Sequence, residues 1–163
     1  MDFYSRFATN TQHEEQGREF TKEFGPGVAF LIARAGNRTY NRMIQAQWEA
    51  HKHTLDAKDT LEERNAAEAC GERIMVEVMA KSVVLGWWGD VQYQGEPLPY
   101  TPDNAVKLLQ LPEFRKLVDK LSNDFQNYRL VREEDAAKKS ESSSNGTSPG
   151  AAASNTSETL SAN

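Results

Sequence analysis

The stretch Thr60–Leu85, TLEERNAAEACGERIMVEVMAKSVVL, decides how the chain is read. It opens on Thr60-Leu61-Glu62-Glu63, the pattern of a capping box. In that pattern the Thr hydroxyl accepts from a backbone amide of the first turn, and the Glu three residues on reaches back to the cap. The spacing predicts a helix from Leu61 to about Leu85. Ile74, Met75, Val78, Met79, Val83 and Leu85 make its second half apolar on much of its circumference, which places that end deepest in the core.

Outward from this helix, residues 19–34 read as a β-hairpin. EFTKEF alternates, with Phe20 and Phe24 apolar; Gly25-Pro26-Gly27 is a turn signal; VAFLIAR follows as a mostly apolar strand. Asn37 is suited to accept from the free amides of a helix start, and a helix over about 38–57 follows, with Tyr40, Ile44, Gln47 and His51 on one face. After the long helix comes LGWWGDVQYQGEPLPYTPDNA, residues 85–105. Two glycines flank a Trp pair and three prolines fall close together, so we read an ordered irregular segment with room for a short strand at Val91 to Tyr93. Thr101 caps a helix over 102–110 and Pro102 fills its first position, where a missing N–H costs nothing; Ala105, Leu108 and Leu109 face inward. Leu111-Pro112 starts a helix over 112–131 carrying Phe114, Leu117, Val118, Leu121, Phe125 and Tyr128 at helical spacing. The fold class that results is mainly α with a small N-terminal β-hairpin (α+β). A single folded domain over 19–135 lies between a flexible arm, residues 1–18, and a disordered Ser-rich tail, residues 136–163. In that tail Leu160 alone belongs to the set Leu, Ile, Val and Phe, too little apolar surface to offset the entropy of ordering.

The net charge of −5 argues against nucleic acid, because phosphate contacts dominate such affinity. The one cysteine, Cys70, leaves no internal disulfide and fits a reducing compartment. The N-terminus lacks the basic and apolar stretches of a signal peptide, and no apolar run approaches the roughly 20 residues of a membrane span. The expectation is a cytosolic protein without a membrane partner.

Reactive groups are sparse. His51 and His53 are two apart and point to different faces of a helix, whereas a helical zinc pair needs four-residue spacing. His13 stands alone. Cys70, beside Ala69 and Gly71, reads as a small buried hydrophobe. No phosphate-binding glycine motif is present, and the acidic residues read as solvated helix faces. We therefore expect no enzyme activity, no cofactor and no metal. The unusual feature is the aromatic and proline segment: Trp87, Trp88, Tyr93, Pro97, Leu98, Pro99 and Tyr100. These residues either plug gaps between helices or form a docking surface of the kind that Trp and Tyr favour; both readings stand at this level.

The segment GWWGDVQYQGEPLPYTPDNAVKLLQLPEFRKLVDKLSNDFQNY resembles phage tail assembly chaperones. Members of that family show a Trp-centred helix end, then Gly-Glu-Pro-x-Pro-Tyr, a Ser/Thr-Pro-x-Asn-Ala helix start and a Leu-rich helix closing on Phe or Tyr. Here these are Trp87, Gly95 to Tyr100, Thr101 to Ala105, and Leu108 to Tyr128. The upstream VAFLIARAGNRTYNRMI, residues 28–44, resembles their front half. Trp88-Gly89 departs from the pattern, which has an acidic residue and Gly after the first Trp. The resemblance implies a protein of the host cell cytoplasm that binds and solubilises the tape measure protein, helps recruit tail tube subunits, and is absent from the mature virion; self-association is a separate possibility. A minor structural tail or connector protein is the alternative. The family also implies two product lengths through a programmed ribosomal frameshift, the longer form contacting tail tube protein. Ala137-Lys138-Lys139 is encodable by a slippery adenine run, so Lys138 and Lys139 are the candidate frameshift position, with two ordinary solvated lysines as the other reading. Codons there that cannot re-pair after a one-base slip would remove the idea.

Overall fold

The computed structural model describes residues 1–130. The chain is mainly helical with a small antiparallel β-hairpin near its N-terminus. Residues 136–163, expected to be disordered, and the candidate frameshift lysines Lys138 and Lys139 lie outside the described residues.

The hairpin pairs β1 (Arg18–Phe20) with β2 (Val28–Ile32), Phe20 opposite Phe30. A third strand, β3 (Val84–Gly89), adds to the other edge of β2 and gives the antiparallel order β1-β2-β3. Phe20, Phe30 and Trp87 fall in one cross-strand row. All three are buried, so the sheet presents an aromatic row to the core.

The long helix, α5 (Leu61–Ser82), starts as its sequence requires. Glu63 N–H donates to Thr60 Oγ1 at 3.1 Å, and the Glu63 carboxylate accepts from Thr60 N–H at 3.1 Å. It ends earlier than the expected Leu85. Val83 leaves the helix, and Val84 to Gly89 run extended against β2. The β-branched Val84 packs well in a pleated sheet, and Ala33 N–H donates to Val83 O at 2.8 Å where the chain turns into the strand. The strand closes at Gly89, whose φ is +94° and where a Cβ would lie 2.0 Å from Gly27 O; only glycine allows that approach.

The expected helix over 38–57 is divided. α3 (Arg38–Ala50) stops at His51, whose φ of −114° and ψ of 13° break the run, and α4 (Lys52–Asp56) follows. The break turns Leu55 into a small core with Cys70, Ile74 and Val78, over which Tyr40, Met43 and Ile44 pack. Asn37 does more than cap α3. Its carboxamide oxygen accepts from Tyr40 N–H at 2.9 Å, while its Nδ2 donates to Arg34 O and, at 2.9 Å, to Ser82 O. One buried side chain thus ties the start of α3 to the end of α5.

α6 (Pro102–Leu109) and α7 (Pro112–Asn123) complete the main core with Ala105, Leu108, Leu109, Val118 and Leu121. The helix expected to reach 131 stops at Asn123. The Asn123 amide folds back onto Asp119 O at 2.8 Å, and Asp124 instead caps a 3₁₀ helix, Phe125–Tyr128, by accepting from Gln126 N–H. That tighter turn delivers Tyr128 to a fully buried site, where its hydroxyl donates to Ile32 O at 3.0 Å. Burial pushes the Tyr128 phenol well above its ordinary range.

Residues 1–18, expected to be a flexible arm, carry α1 (Phe3–Phe7) and α2 (Thr11–Gln16). Asn10 N–H donates to Tyr128 O and Leu130 N–H to Ala8 O, so the arm is pinned to the end of the described chain. Phe3, Tyr4 and Phe7 nevertheless remain exposed.

Candidate partner-binding surface

The aromatic and proline segment folds as a strap around Trp87. The Trp87 indole is only 7% exposed. It sits 5.5 Å from the Phe30 ring and meets Tyr100 edge-on at 5.0 Å. Phe24 and Phe114 extend the cluster, each within 6 Å of Phe30. The indole Nε1–H donates to Leu98 O at 2.7 Å, so the one polar atom of a buried ring is satisfied by the strap itself. Leu98 is buried in turn, and its N–H donates to Val91 O at 2.8 Å.

Between Val91 and Leu98 the strap forms a two-stranded hairpin, β4 (Gln92–Tyr93) with β5 (Glu96–Pro97). Gln94 and Gly95 make its turn with φ of 53° and 86°, the pair of positive values that a tight type I′ turn demands. The expected short strand at Val91 to Tyr93 is thus realised as Gln92–Tyr93. Tyr100 OH donates to Val84 O at 3.1 Å, and burial pushes the Tyr100 phenol upward. Asn104 closes the strap: its Nδ2 donates to Pro99 O at 2.8 Å while its N–H donates to Thr101 Oγ1 at 3.0 Å. The order Gly-Glu-Pro-x-Pro-Tyr-Thr-Pro-x-Asn-Ala is therefore accounted for by local structure. It supplies a hairpin turn, a carbonyl for Trp87, a helix cap and an amide that holds the strap down.

The seven candidate residues divide accordingly. Trp87 and Leu98 belong to the core. Tyr93 and Tyr100 are partly buried against it, with the Lys107 ammonium 5.6 Å from the Tyr93 ring centroid. Trp88, Pro97 and Pro99 face outward, Trp88 at 47% exposure. On β3 this is the alternation a strand imposes, with Trp87 inward and Trp88 outward.

A further exposed aromatic, not singled out in the sequence, is Trp48 on α3. It lines a cavity of about 310 Å³ with Leu55, Ala67 and Gly71. The signal for it was its place four residues after Ile44 and eight after Tyr40, which continues the apolar stripe of α3. Another cavity, about 380 Å³, runs between α5 and the α6–α7 corner beside the Arg115–Glu72 ion pair. Among the described residues no group of three or more His, Cys, Asp or Glu is placed to hold a metal ion. No helix among them is long and apolar enough to cross a membrane.

The described elements from α3 onward fall in a stretch with a recognisable origin: the chain belongs to a phage-derived family. The family model that matches it, over residues 34–139 and so well over half of the chain, is described as YdaY prophage protein. No curated protein and no solved structure matches the chain.

Proposed function

We propose that this chain is a non-enzymatic tail assembly chaperone, working without a cofactor in the host cell cytoplasm. It binds and solubilises the tape measure protein and helps recruit tail tube subunits. The observation that carries this reading is the ordered run from Trp87 to Tyr128, which is similar to tail assembly chaperones and occurs in a chain of a phage-derived family.

The physical reasoning is coherent with that role. A long helical protein with exposed apolar stripes aggregates unless the stripes are covered. An acidic module with a net charge of −5 that presents Trp48, Trp88, Leu61 and Leu111 at its surface offers apolar contacts while its charge opposes precipitation. Several copies along one chain gain through effective concentration, so each contact stays weak enough to release. A longer frameshifted form would add the tail tube contact.

Mass spectrometry of purified virions tests the reading. We expect the chain to be absent from finished particles and present with the tape measure protein in lysates of assembling cells. Its recovery as a stoichiometric particle component would instead make it a minor tail or connector protein.

A further inference from the structure

The apolar stripe of α3 outruns the core that it covers. Tyr40 and Ile44 pack on the cluster of Leu55, Cys70, Ile74 and Val78. Trp48, one turn further on, is 51% exposed. Opposite it the apolar contribution of α5 is the small pair Ala67 and Gly71, so the stripe ends over the cavity of about 310 Å³ that Trp48, Leu55, Ala67 and Gly71 line.

Gly71 sharpens the point. It lies in the middle of a 22-residue helix, where glycine is less favourable than alanine. Packing does not require it, because a Cβ built there would meet only Leu55 Cδ2, at 3.9 Å. What the glycine does is leave the cavity open. The rim is charged. Lys58 and Arg64 stand on it with Glu68, and among the described residues none of the three forms an ion pair. Arg64 is held in place by its bonds to Lys58 O and Asp59 O. In a chain of net charge −5 this rim carries two cations to one carboxylate, with Arg64 already oriented.

We propose that this cavity seats a large apolar side chain presented by an acidic amphipathic helix of a partner protein. Trp48 and Leu55 form its walls, Gly71 its floor, and Lys58 and Arg64 meet carboxylates flanking the inserted residue. Helix-in-groove recognition uses such isolated anchors, and aromatic residues at pocket rims carry much of the binding energy. The proposal deepens the assembly reading by locating the contact, and rests on that reading only for the source of the helix.

The test uses the full chain and labelled synthetic peptides of about 20 residues, long enough to hold helix once docked. One alternates a leucine stripe with Glu, the other carries the same stripe with Lys. Fluorescence anisotropy should show the acidic peptide binding at least about tenfold more tightly than the basic one. Gly71→Leu fills the cavity while favouring helix; it should abolish or weaken binding by about tenfold or more with an undiminished melting temperature. Trp48→Ser provides the same readout should Gly71→Leu fail to fold, and Lys58→Glu should weaken binding a few-fold and make it less sensitive to salt. Equal binding of both peptides, binding of neither, or full binding by Gly71→Leu overturns the proposal. A wild-type dimer that Gly71→Leu converts to monomer also overturns it, since the occupant would then be a second copy. None of these failures touches the virion measurement, which judges the assembly reading separately.

Discussion

Two regions of the described chain are built on opposite plans. Around the sheet, the aromatic rings are closed over in turn: Phe30 stacks on Phe24, Trp87 tilts against Phe30, Tyr100 meets Trp87 edge-on, and Leu98 supplies the carbonyl that satisfies the indole. At the α3–α4–α5 corner the packing is lean. Four buried residues make the core, no residue of α3 is buried, and a Trp is left half in water. The lesson is that tryptophan count alone does not locate a surface. Trp87, at the centre of the conspicuous motif, holds the fold, while Trp88 beside it and Trp48 in an ordinary helix are the ones free to touch a partner.

Substitutions can break this contrast. Trp87→Ala should have the largest effect, about 3–5 kcal/mol of destabilisation in urea unfolding, because it removes the centre of the aromatic stack and orphans Leu98 O. Gly89→Ala follows, at about 3 kcal/mol, since its Cβ would collide with Gly27 O at a positive φ. Tyr128→Phe should cost about 1 kcal/mol by deleting the bond to Ile32 O. It also carries a pH signature. Because the folded-state phenol is raised above its ordinary value of 10.0, its contribution is fully present below that pH and is lost as pH rises above it. The wild type should therefore lose stability on the alkaline side more steeply than Tyr128→Phe, as chemical unfolding at a series of alkaline pH values will show. Trp48→Ala should be the mildest, under about 1 kcal/mol. A Trp48 cost as large as that of Trp87 would erase the distinction between the two regions.

Signals that act within a few residues were legible in the sequence. The Thr60 capping box, the Asn37 cap and the Thr101-Pro102 helix start all form where the local chemistry places them, whereas the first hairpin strand, expected over EFTKEF, ends at Phe20 and leaves residues 21–27 as the connection to β2. What escaped depends on distant partners. The run VMAKSVVLGWW is apolar enough for either helix or strand, and only pairing with Val28–Ile32 makes its second half a strand. The end of α7 at Asn123 turns on a side chain competing for Asp119 O. Whether Trp87 was core or surface could not follow from composition, because the answer lies in a carbonyl eleven residues away. The cavity under Trp48 was invisible for a related reason: it is made by what Gly71 and Ala67 leave out, and small residues in a helix leave no periodic trace.

On the proposed function, this acidic chain keeps a partner with exposed helical stripes in solution. Co-expression of the tape measure protein from the same prophage, with and without this chain, measures it most directly as the soluble fraction after centrifugation. We predict that the tape measure protein is largely insoluble alone and soluble, in complex, with the chain present. A soluble fraction that is the same in both cases would contradict the account.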